Sequence, residues 1–275
     1  MAAGEWQGRF TDGLVDRGVH PAEADELARD AVLEAEGAGL DPASLYGPAV
    51  AYAVAMARTV RDARVNAAPL ARERGEVVLR LHEVTKRYRR RQALPPTSLT
   101  LRAGEVAAVV GANGSGKSTL LNLCAGLVRA SSGTVERTPR IGYAPQQDGV
   151  APLLTATEHF RLFGAAYGMA PRRAVATGRH LASQLGWTPR RDGIAGHLSG
   201  GTQQKLNVVL SELDRPDLIL LDEPYQGFDH GSYVDFWDQV FTWRDAGAGV
   251  LVVTHLLHEL DRVDHVLELA AVTGA

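Results

Sequence analysis

Gly111-Ala112-Asn113-Gly114-Ser115-Gly116-Lys117-Ser118 follows an apolar run, precedes a helix-forming stretch, and fills every position of the phosphate-loop pattern. Its glycines let the backbone wrap so that successive N–H groups, and the N-terminus of the following helix, face phosphate oxygens. Lys117 adds a point charge for the terminal phosphates, and the Ser118 hydroxyl suits a Mg²⁺ ion. A plain glycine-rich turn is the bland alternative. The strand before the loop and the helix after it argue for the phosphate site.

Outward from the loop, Glu105 to Val110 reads as a short buried strand and Gly116 to Leu127 as a helix. Two more apolar runs, Leu218 to Leu221 and Val250 to Val253, flank a helical stretch from Gly231 to Arg244. Strands joined through helices imply a parallel sheet and an α/β fold. Upstream, Val77, Leu79 and Leu81 alternate with Val78, Arg80 and His82 at the period of a half-buried strand. Between Pro152 and Gln204 the pattern is mostly helical, clearest at Thr157 to Tyr167 and Arg172 to Leu185. The start of the chain is alanine-rich. Leu27, Ala31, Val32 and Ala35 fall at helical spacing between Pro21 and Gly37, Asp41-Pro42 opens a short turn, and Pro48 to Arg64 reads as a further helix. The expected division is a small helical unit over 1–66, a linker over 67–75 carrying Pro69, and a large domain over 76–275, with a helical subdomain over about 150–212.

Composition narrows the function. A chain of 275 residues with 45% hydrophobic content can bury a full core, and a net charge of −3 gives no basic field for nucleic acid. The single cysteine, Cys124, excludes an intrachain disulfide and a thiolate metal cluster, and suits a reducing compartment such as the cytosol. Apolar runs such as Ala49 to Ala57 fall short of the roughly 20 residues a bilayer span needs. Met1 to Phe10 carries Glu5 and Arg9 without an apolar core, so no secretory signal is expected.

Asp222 closes the run Leu218 to Leu221, and Glu223 follows it. Neighbours at a strand end point different ways, so Asp222 can serve a metal while Glu223 polarises the water that attacks a terminal phosphate. Upstream of this pair stands Leu198-Ser199-Gly200-Gly201. Phosphate loop, signature segment and carboxylate pair, in that order and spacing, resemble the ABC-type ATPases. The resemblance covers about Glu76 to the C-terminus and implies a P-loop NTPase ABC-type ATPase domain with antiparallel β and helical subdomains, preceded here by a small all-α unit.

It also implies roles. ATP would be held by the loop from Gly111 through Asn113, Gly114, Ser115, Gly116, Lys117 and Ser118 to Thr119, with Tyr88 of Lys86-Arg87-Tyr88 stacked on adenine. Mg²⁺ would be held by Ser118, Gln146 and Asp222, although Gln147 beside Gln146 leaves that assignment open. Glu223, His255 and Lys117 would be catalytic, His255 contacting the terminal phosphate and orienting the water. Ser199, Gly200 and Gly201 would bind the ATP of an opposite subunit, and Asp229 would cross that interface, its bland reading being a helix N-cap. Three features depart from the pattern: Thr202 stands where the family usually has glutamine, little chain follows Leu269, and the helical prefix is not part of the usual domain.

Leu154 to Gly164 resembles the helical subdomain of ATPases serving ABC-2-type exporters, whose exposed aromatics would receive a permease helix. Leu45-Tyr46-Gly47-Pro48 with Ala51-Tyr52 is similar to small helical sensory or permease-associated domains, which would dock, regulate or simply shield an apolar face. The cations Lys86, Arg87, Arg89, Arg90 and Arg91 read as a solvated strand edge. The resemblance thus implies an ATP-hydrolysing, Mg²⁺-dependent subunit that forms a homodimer or heterodimer, serves a separate permease at the cytoplasmic face of the membrane, and binds no nucleic acid. Two other readings compete. A non-transport ABC ATPase acting on nucleic acid or ribosomes is opposed by the single domain and the short interval between loop and signature. A nucleotide-responsive regulator is opposed by the presence of both Glu223 and His255.

Overall fold

A computed structural model describes residues 3–65, 75–89, 91–147, 149–190, 193–228, 230–255 and 260–270. The chain divides into two compact units, Met1–Ala67 and Ala68–Ala275.

The first unit holds helices α1 (Ala3–Val15), α2 (Pro21–Gly37), α3 (Pro42–Tyr46) and α4 (Ala49–Val65). Trp6, Phe10 and Leu14, four apart on α1, bury one stripe against Ala24, Ala28 and Ala31 of α2 and Tyr52, Ala53 and Ala57 of α4. Small residues bring the helices close: a methyl group at Gly13 would come within 2.8 Å of the Ala53 Cβ. Stacked rings fill the remaining space, with Phe10 to Tyr52 at 5.0 Å and Tyr46 to Tyr52 at 4.5 Å between centroids. The Trp6 indole donates to the Gly47 carbonyl at 2.9 Å. Asp41 caps α3 by accepting from the backbone of Ala43 and Ser44, and those bonds, that of the Ser44 hydroxyl foremost, hold its carboxyl below the usual range.

The second unit opens with the antiparallel strands β1 (Val77–Tyr88) and β2 (Arg91–Arg102). The expected alternation fails at its start, where Val78 is fully buried and Val77 only partly so, holds from Leu79 to His82, then changes phase. Glu83 takes a left-handed φ of 46° where the register shifts, so Val84 turns inward in its place. Next come β3 (Val106–Gly111), α5 (Lys117–Ala125), β4 (Ser132–Arg137) and β5 (Ile141–Ala144). Helices α6 (Ala156–Ala166), α7 (Pro171–Gln184) and α8 (Gly200–Glu212) follow, then β6 (Leu218–Asp222), α9 (His230–Asp245), β7 (Gly249–Val253) and β8 (His265–Leu269). The antiparallel sheet has the order β2-β1-β4 and the other sheet the order β5-β6-β7-β3-β8. Every pairing in the second sheet is parallel.

Strand alternation divides the core. Leu218, Leu220, Leu251 and Val253 face α5 and β1, while Ile219, Leu221, Val250 and Val252 face α8 and α9. Because the strands are parallel, their carboxyl ends share one edge of the sheet, and the segments after β3, β5, β6 and β7 emerge side by side. In the helical layer α6 and α7 pack through glycine: a side chain on Gly164 would strike Ala174, and one on Gly178 would strike the Phe160 ring. This corrects one expectation from the sequence. Phe160 is fully buried and Phe163 partly so, and the exposed large apolar side chains around α6 are Leu153 and Leu162, with Tyr167 at its C-terminal cap.

Candidate functional site

A cavity of about 920 Å³ opens at the carboxyl edge of the parallel sheet, lined by Tyr88, Lys117, Ser118, Gln146, Glu223 and His255 among others. Each arrives from a different element: Tyr88 from the end of β1, Lys117 and Ser118 from the start of α5, Gln146 after β5, Glu223 after β6 and His255 after β7. The phosphate loop is shaped by glycine where glycine alone fits. Gly116, at φ 102°, is pressed against the Ala93 carbonyl, and any Cβ there would collide with it.

Lys117 is buried, and its ammonium donates to the Gly111 carbonyl at 2.8 Å and the Ala112 carbonyl at 3.1 Å, which spans the loop and points the charge into it. Asn113, Gly114, Gly116 and Thr119 reach the cavity wall. Gly111 and Ser115 stand behind it; the Ser115 side chain is buried, and its N–H closes a turn onto the Ala112 carbonyl at 3.1 Å.

Asp222 is buried at the end of β6 and accepts a hydrogen bond from the Ser118 hydroxyl. Burial first, and the neighbouring Glu223 charge second, raise its carboxyl above the usual range, while the Ser118 bond and Lys117 oppose that. Glu223 occupies a left-handed conformation, φ 46°, which costs an L-residue roughly 1–2 kcal/mol. Gln146 donates to Glu223 Oε2 at 3.0 Å, and His255 Nδ1 lies 3.7 Å from the same oxygen. The loop that carries Gln146 is gripped from α8: buried Asn207 donates to the Pro145 carbonyl at 2.6 Å and Gln204 at 3.4 Å.

The signature segment is elsewhere. Ser199, Gly200 and Gly201 are not among the residues lining the 920 Å³ cavity. Gly200 instead borders a second hollow of about 570 Å³ with Gln146, Gln226 and Gly227. Ser199 is exposed and caps α8, its oxygen accepting from Thr202 N at 3.3 Å and pairing with the Thr202 hydroxyl at 2.8 Å. Asp229 lies outside the described residues.

Arg91, Gln226, Gln204 and Asn207 were not singled out in the sequence as parts of the site. Arg91 and Gln226 line the nucleotide-sized cavity, and the other two hold its Gln146 loop. Gln226 had a weak signal in its position three residues after Glu223; the others depend on contacts distant in sequence.

The chain is similar to several known proteins. A family model described as ABC transporter matches residues 94–226. The zinc import ATP-binding protein ZnuC of Cereibacter sphaeroides is 37% identical over 183 residues, covering 64% of this chain and 72% of that one. The Nod factor export ATP-binding protein I of Burkholderia lata is 30% identical over 192 residues, covering 66% of this chain and 63% of that one. The chain thus spans under two thirds of the length of that export relative. Among solved structures, a dimeric bacterial ABC transporter cassette superposes with a TM-score of 0.65 at 25% identity, covering 70% of this chain and 95% of that one.

Proposed function

The chain belongs to the ABC transporter ATP-binding family, and we propose that it is the ATP-hydrolysing subunit of a transporter, working as a homodimer or heterodimer closed around two ATP molecules. The observation that carries this reading is the gathering of the phosphate loop, Gln146, Asp222, Glu223 and His255 at one edge of one sheet.

In this reading Tyr88 stacks on adenine and the amides of residues 111–119 enclose the phosphates, with Lys117 redirecting its ammonium from the loop carbonyls to the terminal phosphates. The pair Ser118 and Asp222 fits a hard, oxygen-seeking cation such as Mg²⁺, with Gln146 close by. When bound, the ion neutralises charge on the transferring phosphoryl group. Glu223 polarises the attacking water, and His255, near the same carboxylate oxygen, orients it and contacts the terminal phosphate. Ser199, Gly200 and Gly201 receive the ATP of the opposite subunit, and Asp229 crosses the interface.

Closing and reopening of the pair drives a separate membrane permease. Among the described residues no helix is long and apolar enough to cross a membrane. In this reading the chain sits peripherally, through that permease, at the cytoplasmic face. The likeness of residues 154–164 to exporter ATPases supports export, while the relatives include both an export and an import protein. The units 1–66 and 76–275, joined over 67–75, are read as appendage and motor.

The test is phosphate release from ATP with Mg²⁺, with light scattering in parallel. Glu223→Gln is expected to lose about 10²–10⁴-fold in turnover and to accumulate as an ATP-bound dimer. A wild-type chain that neither hydrolyses ATP nor dimerises, even with its permease, would sink the proposal.

A further inference from the structure

Lys86 and Tyr88 are two residues apart on β1, so their side chains leave the strand on the same face. The Lys86 ammonium lies over the Tyr88 ring, 4.8 Å from its centroid, and is held there by donating to the Arg129 carbonyl at 2.7 Å. Neighbouring bonds fix both segments. Arg87 N donates to the Ser131 hydroxyl at 3.0 Å, Ser131 N donates to the Thr85 carbonyl at 2.8 Å, and the Thr85 and Ser132 hydroxyls pair at 2.7 Å. Tyr88 is half exposed and lines the 920 Å³ cavity, whereas Lys86 is not among its lining residues. The ring therefore borders the cavity while a cation sits over one of its faces.

We infer that Lys86 is a positioning residue for base binding, backing Tyr88 so that the ring presents a prepared face to adenine. The inference rests on the reading of Tyr88 as the adenine platform. Two physical effects support it. An aromatic face is electron-rich, and stacked faces repel. A cation draws ring density to its own side and lessens that repulsion on the other. The anchored ammonium also holds the exposed ring in one orientation, so less side-chain freedom is lost when the base arrives. Lys86 does this through Tyr88, without touching the nucleotide.

The experiment titrates the full chain calorimetrically with ATP and, separately, with inorganic tripolyphosphate, in EDTA so that ATP is not consumed. Lys86→Met is expected to weaken ATP binding about two- to fivefold and to leave tripolyphosphate affinity unchanged. The same change should have no effect in a Tyr88→Ala background, and Lys86→Arg, which keeps a cation over the ring, should restore most of the affinity. If Tyr88→Ala weakens ATP but Lys86→Met does not, the inference is overturned and the platform reading stands. If Tyr88→Ala leaves ATP affinity unchanged, the platform reading falls and takes the inference with it. Equal weakening for ATP and tripolyphosphate, or an effect that persists without Tyr88, would mark Lys86 as a general charge or a structural prop and overturn the inference.

Discussion

Two helices of the second unit begin at glycine-rich segments, and they begin differently. Helix α5 starts from Gly116, a left-handed residue locked against the Ala93 carbonyl, and its first turn opens into a cavity walled by Lys117, Gln146, Glu223 and His255. Helix α8 starts from Ser199, which is exposed and whose hydroxyl bonds within its own first turn, to Thr202. Both use the partial positive charge of a helix N-terminus. The first supplies a charge, a carboxylate pair and walls from this chain; the second, in the proposed reading, would receive the nucleotide of another chain. On that contrast, damage to α5 should appear as lost nucleotide binding, and damage to α8 as lost turnover with binding intact.

Of the changes that test this contrast, the largest effect is expected at Lys117. Its ammonium is the buried charge of the loop, and Lys117→Ala removes the charge-assisted contacts to phosphate, so ATP affinity should fall about ten- to a hundredfold. Equilibrium binding to the isolated chain checks this. An unchanged affinity would break the contrast at its first half.

Gly201→Ala probes the other half. A Cβ at Gly201 would collide with the Gly227 carbonyl, so the start of α8 must shift against the segment after Glu223, a strain of about 1–3 kcal/mol. Turnover by the paired chain should fall roughly tenfold or more, while the monomer binds ATP within about twofold of wild type. Equal losses of binding and turnover would mean that the signature segment serves its own chain's nucleotide.

The contrast was legible in sequence to different depths. The phosphate loop and the runs of β3, β6 and β7 were plain, because strands buried on both faces read as continuous apolar segments. Parallel order then brings their ends together, which is why Glu223 could be named from a strand end and His255 from a strand end together with the family resemblance. Helix α1 was not resolved as an element: its buried stripe, Trp6, Phe10 and Leu14, is interrupted by the poor helix formers Gly4, Gly8 and Gly13. On α2 the buried stripe is Ala24, Ala28, Ala31 and Ala35, and Leu27 lies at its margin, because close helix packing selects small side chains. Phe160 was misjudged as exposed since its cover, Gly178, comes from the next helix. Asn207 and Gln204 carry no local sign of their bond to Pro145, about sixty residues away in the chain; distances in sequence of 62 and 59 separate the partners.

The far ends of the two helices sharpen the comparison. Helix α5 ends in a left-handed Gly126 beside the Arg137 guanidinium, a favourable C-terminus. Helix α8 ends at Glu212, whose enclosed carboxyl, bonded by Gln239 at 3.4 Å, is pushed up to about 7, chiefly by burial. A carboxyl raised in the folded state holds its proton more tightly there than in the unfolded chain. Its contribution to stability is therefore complete below the ordinary value of 4.5 and lost as pH rises through about 7. Glu212→Gln removes the charge and keeps the shape. It should melt about 2–4 °C above wild type at pH 8 and level with it near pH 5. A constant difference across that range would mean that the side chain is not titrating.

The smallest effect is expected at Thr202, the departure from the family pattern. Its hydroxyl pairs with the Ser199 hydroxyl at 2.8 Å, and its backbone N–H already uses the same oxygen as a cap. With both partners intramolecular, Ser199 is less free to donate to a phosphate across a dimer. Thr202→Gln keeps the backbone cap, removes the competing hydroxyl and adds an amide of longer reach. Turnover should rise, by no more than about threefold because one exchanged hydrogen bond is worth only about 0.5–1.5 kcal/mol, and part of that is regained by solvent. ATP binding to the monomer should not move. Steady-state phosphate release at saturating ATP, set beside monomer affinity, separates these quantities. A gain in affinity rather than turnover would place Thr202 at the nucleotide of its own chain, and the signature segment with it.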